Sequence, residues 1–363
     1  MKIGILTFWG VPNYGAFAQA YALNKLLKRI YANADVKHLA YLHPSHQNLY
    51  FRKKKPVITS FKSLISPYYY KNLLSYHINP CVKFPSFTKD WNSIEHVVLK
   101  NENELENYYC DVIITGSDAI WEYSVAEFGD DVHLIGNSLN CKKLISYAAS
   151  FGDTNLEDDF KPFVREGLEK YSAISVRDES SKNIVKRMLQ KDKAVFVLDP
   201  TLVWNFKADE SIPKSPYSRY ILVYGDTFPD ELIKKVKLFA KKEKLAIVGA
   251  GIAPKWCDVR LIDIGPMAWI GLFKKADFVV TCTFHGLMFS INYEKKVIFN
   301  QVDYVKNRST ALLKELGLLR LYENGVDLDS VLNYNWDYGR INSKLEIMRF
   351  ESLKFIGGLD ENE

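Results

Sequence analysis

Short apolar runs alternate with stretches of helical periodicity along most of this chain, and no other feature restricts its fold as much. Strands are expected at 2–8, 36–42, 112–115, 143–148, 173–176 and 195–198, with helices at 16–30, about 160–170 and 179–190. Runs such as Val112-Ile113-Ile114 are continuously apolar, the pattern of strands buried on both faces. Strand and helix in turn predict a parallel sheet covered by helices on both sides. A stretch at 199–218, carrying Pro200, Pro213 and Pro216, reads as a linker. Beyond it a second series begins, with strands at 219–225, 245–250, 278–282 and 296–300 and helices at 229–243, 267–276 and 286–293. The expected fold is therefore α/β, with two doubly wound, Rossmann-like domains facing across a cleft. Their bounds are placed at residues 1–205, with a basic insertion at about 43–95, and residues 206–339. Residues 340–363 form a helix over 340–356 that returns to the first domain, and a tail that frays from Gly357. A length of 363 residues suits two such domains.

Composition narrows the class. Hydrophobic residues make up 47% and charged residues 25%, as in ordinary globular proteins. No apolar run approaches the roughly 20 residues that span a bilayer, and MKIGILTFWG lacks a small-residue cleavage site, so a cytoplasmic location is expected. Cys81, Cys110, Cys141, Cys257 and Cys282 are scattered without a CxxC pair, which argues for reduced thiols rather than a disulfide framework or a zinc site. The net charge of +5 is unevenly spread. From Val36 to Lys89 there is no Asp or Glu but nine Lys and Arg, including Lys53, Lys54 and Lys55, interleaved with Tyr68, Tyr69 and Tyr70. Such a segment suits an anionic membrane surface, nucleic acid or a phosphorylated substrate, or is a solvated insertion.

Four loops fall at the carboxyl ends of expected strands, where ligands of open α/β sheets bind. In the first, Asn13, Tyr14 and Gly15 open a helix, and Asn13 either contacts ligand or caps that helix. Gly10 and Gly15 stand five apart, so no dinucleotide fingerprint is present. In the second, Ser117 and Asp118 follow an apolar strand; Asp118 is a general base, a ligand contact or an N-cap. The third places Arg177 beyond a strand as a fork for carboxylate or phosphate, or as a salt-bridge partner of Asp178 or Asp199. The fourth holds His285 and Gly286. An anion-binding arginine and a titratable histidine meeting over one ligand suggest transfer chemistry on a phosphorylated substrate.

The ordered set NYGAFAQAYAL, ITGSDAIW, SYAASFG, SVRDESS, DPTLVW, TFHG and NRSTALLKELGL resembles the polysaccharide pyruvyl transferase family over nearly the whole chain. Ala119 departs from it, since the family often has glutamine in GSDQxW. The resemblance implies a GT-B-like fold, with the acceptor on the N-terminal side and the donor on the C-terminal side. It implies transfer of pyruvate from phosphoenolpyruvate onto two sugar hydroxyls of a cell-surface or exopolysaccharide, as a cyclic ketal, with release of phosphate. Arg177, His285 and Gly286 would hold phosphoenolpyruvate, and Asn13, Tyr14, Gly15, Ser117 and Asp118 would face the acceptor. His285 would move protons, assisted by Asp118, or hold phosphate as imidazolium. Phosphoenolpyruvate enters as co-substrate, and neither cofactor nor metal is expected. A sugar or lipid-linked oligosaccharide acceptor would bring the protein to the inner membrane face, docked by Lys53, Lys54 and Lys55. The alternatives are a GT-B glycosyltransferase with a nucleotide-sugar donor and, less favoured because it leaves the four loops without purpose, a nucleic-acid-binding protein.

Overall fold

The computed structural model describes residues 1–51, 66–67, 70 and 84–358. Lys53, Lys54 and Lys55, with most of the basic stretch and the tail after residue 358, lie outside the described residues. The chain builds two parallel sheets. The first contains β1 (Lys2–Leu6), β2 (Asp35–Ala40), β3 (His96–Val98), β4 (Cys110–Thr115), β5 (Cys141–Ala149), β6 (Ala173–Val176) and β7 (Ala194–Phe196), in the order β3-β2-β1-β4-β5-β6-β7. The second contains β8 (Tyr220–Tyr224), β9 (Ala246–Ala250), β10 (Val259–Leu261), β11 (Phe278–Thr281) and β12 (Lys296–Phe299), in the order β10-β9-β8-β11-β12. Every pairing in both is parallel. The architecture is α/β, two doubly wound Rossmann-like lobes, because most strands of the two parallel sheets are joined by helices that cross back to the next strand.

The helix Tyr14–Ile30 sits between the lobes. Its residues are apolar nearly all round, and those from Tyr14 to Asn24 are all buried. Tyr14 reaches the second lobe by donating its hydroxyl to Ile264 O at 2.8 Å, and Tyr21 donates to Asp209 Oδ2 at 2.8 Å. A ring cluster of Tyr14, Phe87, Tyr224 and Trp269, with neighbouring centroids 4.7–5.9 Å apart, completes the junction. The ends of the expected basic insertion belong to the first lobe. Trp91, on the helix Pro85–Trp91, is buried and donates its indole N–H to Val11 O at 2.9 Å.

The helix Tyr338–Gly357 lies against the first sheet. Tyr31 donates its hydroxyl to Ile356 O at 2.8 Å, Arg349 Nε donates to Leu202 O at 2.6 Å, and Ser352 Oγ accepts from Leu198 N at 2.9 Å. Ser352→Ala leaves that buried amide without a partner, so a loss of about 1–3 kcal/mol in urea unfolding is expected. An unchanged midpoint would mean that the helix end is not anchored there.

Candidate functional site

Strand order reverses between β1 and β4 in the first sheet and between β8 and β11 in the second. The loops leaving those strands face each other across the lobe junction, the position where open α/β sheets bind ligands. Arg177, one residue past β6, lies at the centre. Its Nη1 donates to Asp199 Oδ2 at 2.7 Å and its Nη2 to Asp118 Oδ1 at 2.9 Å, while its guanidinium carbon stands 4.5 Å from the centroid of the Phe284 ring. Phe284 belongs to the second lobe, so this cation–π contact joins the two halves. The fork expected to clamp an anion is thus already held by two carboxylates of its own chain. The ion-pair alternative names the right partner in Asp199 but not in Asp178, which caps the helix Glu179–Leu189 through Ser181 N at 2.7 Å. One donor stays free: Arg177 Nε is buried with no hydrogen-bond partner.

Burial of Asp118 works against its ionisation, but Arg177 and then His285 outweigh that and hold the carboxyl below the usual range. The same balance holds Asp199 down, through His285, Arg177 and Thr201. Asp118 is therefore a fixed anion rather than a ready general base. Its Oδ1 also accepts from Ala119 N at 2.9 Å, and its φ of 85° is unusual for a side-chain-bearing residue. Gly116 before it has φ 111°, and a Cβ there would stand 2.3 Å from Tyr147 O, so the turn admits only glycine. Asp199, which sequence assigned to a linker, caps the turn at Pro200–Val203 through Thr201 N at 3.0 Å.

His285 enters from the second lobe. Thr283 caps the helix Phe284–Asn292, which begins two residues earlier than expected and so carries His285 in its first turn. The His285 side chain is 10% exposed, and its Nε2 lies 3.8 Å from Asp199 Oδ2, within ion-pair range but too far for a hydrogen bond. Nε2 is buried and has no hydrogen-bond partner. On its other side the ring rests on Gly15, where a Cβ would stand 2.0 Å from Nδ1. Gly15 therefore serves the histidine rather than a ligand. Gly286 likewise is a packing residue: a Cβ would come 2.1 Å from Thr281 Oγ1, and its N–H is taken by Thr283 Oγ1 at 3.1 Å.

Two expected acceptor contacts are placed otherwise. Ser117 is fully buried, with Oγ 2.9 Å from Ala148 O and 3.0 Å from Asp199 Oδ2, so it supports the carboxylate instead of meeting ligand. Asn13 caps its helix through Gly15 N at 2.9 Å and Ala16 N at 3.2 Å, which commits its oxygen. Asn13 and Tyr14 do border a cavity of about 520 Å³ at the lobe junction, shared with Tyr50, Phe87, Tyr224 and Asp263. An aromatic wall with a few polar groups is the usual lining of a small-molecule site. The cavity lies beside the ionic cluster, since Asn13 and Tyr14 on its wall lead directly into Gly15, on which the His285 ring rests.

Two further residues were not expected. Arg308, on the helix Asp303–Leu316, is within Coulombic reach of Arg177, Glu122, Asp118 and Asp178. Burial and the neighbouring Arg177 draw its pKa down. It hydrogen-bonds the Tyr304 carbonyl and, among the described residues, pairs with no carboxylate at ion-pair distance. Glu122 follows the buried Trp121, and burial raises its pKa against the hydrogen bond from Asp153 N and the charge of Arg308. The only sequence signal for Arg308 was its place in NRSTALLKELGL.

No curated protein matches this sequence. The structure is similar to that of S. aureus MnaA with UDP, at 12% identity and TM-score 0.49, over 99% of this chain and 96% of that one. It is also similar to Arabidopsis thaliana UGT89C1 with UDP-L-rhamnose, at 11% identity and TM-score 0.43, over 98% and 94%. A third is Methanocaldococcus jannaschii UDP-GlcNAc 2-epimerase with UDP-GlcNAc and UDP, at 13% and 0.42, over 97% and 99%. The sequence profile for polysaccharide pyruvyl transferase matches residues 13–299, from the Asn13 cap through the last strand of the second sheet. That span is more than half of the chain and contains Asp118, Arg177, Asp199 and His285. The chain belongs to the polysaccharide pyruvyl transferase family.

Proposed function

We propose that this transferase moves pyruvate from phosphoenolpyruvate onto two hydroxyls of a sugar, forming a cyclic ketal and releasing phosphate. The observation that carries this is a buried cluster at the lobe junction with two unpartnered polar nitrogens, Arg177 Nε and His285 Nε2, beside the uncommitted cation Arg308. A buried polar atom without a partner calls for an explanation, and a ligand bound against these two nitrogens supplies one. The Arg177 charge is already balanced by Asp118 and Asp199, so the cluster alone would repel a phosphate carboxylate. Arg308 supplies the missing positive charge, and the first turn of the helix Phe284–Asn292 adds its dipole. Arg308 and His285 then take the donor, while the Tyr14–Tyr50 cavity takes one face of the sugar ring.

The chemistry balances with no further reactant. One hydroxyl oxygen bonds the central carbon of the enol phosphate as the methylene carbon gains a proton. The bond from that carbon to the phosphate oxygen then breaks, its electron pair leaving with phosphate, and the second hydroxyl closes the ketal. Two hydroxyl protons are lost, one ending on the methyl group and one on the phosphate. Delivery of a lipid-linked or polymeric acceptor at the inner membrane face accords with the basic composition of residues 36–89.

The test is thermal unfolding with phosphoenolpyruvate and, separately, with UDP-sugars. A ligand at 100 times its Kd stabilises by about 2.7 kcal/mol, and phosphoenolpyruvate is expected to do so. Arg308→Gln removes charge-assisted hydrogen bonds worth about 1.5–3 kcal/mol, so binding should weaken about 10- to 100-fold. A shift with UDP-sugars alone would replace this reading with nucleotide-sugar transfer.

A further inference from the structure

Among the described residues that line the aromatic cavity, Asp263 alone carries a charge, and the chemistry above does not use it. Tyr14, Tyr50 and Phe87 reach the cavity from the first lobe, and Tyr224, Ile262 and Asp263 from the second. Asp263 is exposed and, among the described residues, has no hydrogen bond or ion pair. Helix capping does not account for it, because the helix Pro266–Lys275 is entered through Gly265 with no side-chain cap. The turn that carries Asp263 is nevertheless fixed. Tyr14 donates its hydroxyl to Ile264 O at 2.8 Å, Asp90 Oδ2 accepts from Met267 N at 2.9 Å, and Gly251 N donates to Leu261 O at 2.9 Å. Gly251, with φ 68°, lets the end of β9 come against the Tyr14 ring, since a Cβ there would stand 2.3 Å from Cε2. The carboxylate is thus held at the cavity wall by a backbone tied to the opposite lobe.

We propose that Asp263 selects the acceptor: its carboxylate accepts hydrogen bonds from hydroxyls of the sugar in the cavity and rejects sugars that carry a negative charge there. This rests on the pyruvyl-transfer reading of the same site. A sugar ring has apolar C–H faces and a hydroxyl edge. The rings of Tyr14, Tyr50 and Phe87 offer broad apolar surface to a face, while a carboxylate accepts without donating and takes two hydroxyls at an edge. Such charge-assisted bonds are about twice as strong as neutral ones. No Lys, Arg or His lines the cavity among the described residues, so a phosphate or a uronic carboxylate would meet Asp263 with no counter-ion. Like charges set opposite each other are a direct way to exclude a near relative of the substrate. Arg177 and Arg308 stand outside this lining, so the anionic donor and the uncharged acceptor ring are sorted into separate parts of one cleft. The phosphates of a lipid-linked acceptor lie outside the cavity. The acceptor is then gripped by both lobes rather than by the N-terminal side alone.

The experiment follows phosphate release from phosphoenolpyruvate with neutral aryl glycosides, their monodeoxy analogues, the matching glucuronide and a sugar phosphate. It compares the wild type with Asp263→Ala and Asp263→Lys, and the phosphoenolpyruvate-induced thermal shift reports folding and donor binding without any acceptor. Asp263→Ala should raise the acceptor KM about 10- to 100-fold, the worth of hydrogen bonds to a charged group. Its kcat and donor shift should stay within about 3-fold, the split expected of a group that binds equally in ground and transition states. A monodeoxy analogue should lose about 10-fold or more in the wild type but under about 3-fold in Asp263→Ala, a coupling that a merely structural role would not produce. Asp263→Lys should move the preference toward the glucuronide by about 10-fold or more. An unchanged KM and preference in both variants would overturn the assignment and leave the donor reading standing. So would equal use of neutral and anionic glycosides by the wild type, a donor shift lost in Asp263→Ala, or an intact wild-type shift with no release from any neutral glycoside. Neither shift nor release by the wild type would remove the donor reading and this assignment together.

Discussion

Replacing Arg177 with methionine is expected to cost about 3–5 kcal/mol of folding stability at neutral pH. The residue is 4% exposed and Asp199 2%, so its loss strands two carboxylates where water cannot compensate them. Hydrogen bonds of 2.7 and 2.9 Å disappear with it. The sign of the pH dependence follows from the directions of the shifts. In the wild type both carboxyls are held down, so their contribution is present above the unfolded value near 3.9 and fades as pH falls through the lower folded value. In Arg177→Met the largest influence left on Asp118 is burial, which favours the neutral acid, so the variant is relieved by acid. The gap between the two proteins should therefore narrow from pH 7 toward pH 4 in urea unfolding. A gap under 1 kcal/mol, or one that does not vary with pH, would mean that Arg177 is not the counter-ion of this pair. Such a variant is a poor probe of donor binding, which is why Arg308→Gln carries that test.

How much of this was legible in the sequence depends on which interactions are local. Runs such as CDVIIT and FVVT become the central strands β4 and β11 because burial on both faces favours continuously apolar residues there, as in Val112-Ile113-Ile114 and Val279-Val280. Their carboxyl ends then had to converge, which located Asp118, Arg177 and His285. The edge strands β3 and β10 escaped notice because each is three residues long and partly exposed, so no apolar run announces them. Asp199 was hidden behind Pro200, a dipeptide that reads as punctuation although here it caps the turn that follows β7. Arg177 was legible as a cleft residue but not as a committed one, because its two carboxylates lie 59 residues before it and 22 after it. Glu122 and Arg308 were illegible for the same reason: a charge acquires a role from what tertiary folding sets beside it. Ser117 shows the converse, since a hydroxyl at a strand end looks available until Ala148 and Asp199 are found against it.

The lone histidine and the lone glycine form one device, and their substitutions should show it. His285→Asn is expected to reduce kcat by about 10²–10⁴-fold, the usual worth of a positioned proton-transfer group. Gly15→Ala, on the opposite lobe, should approach the same loss although it adds a single methyl group. That methyl would stand 2.0 Å from Nδ1, the nearest atoms all belong to the His285 ring, and its own backbone lies in a helix packed between the lobes, so the ring must move rather than the helix. Displacement by about 1 Å is enough to cost about 100-fold when reacting groups must align. The two changes act through one side chain, and residues in contact are not additive. Gly15→Ala should therefore lower kcat steeply in the wild type and by less than about 3-fold in the His285→Asn background. Equal effects in both backgrounds would show that Gly15 acts on the acceptor side of the cleft, and the close approach across the lobes would have no part in placing the histidine.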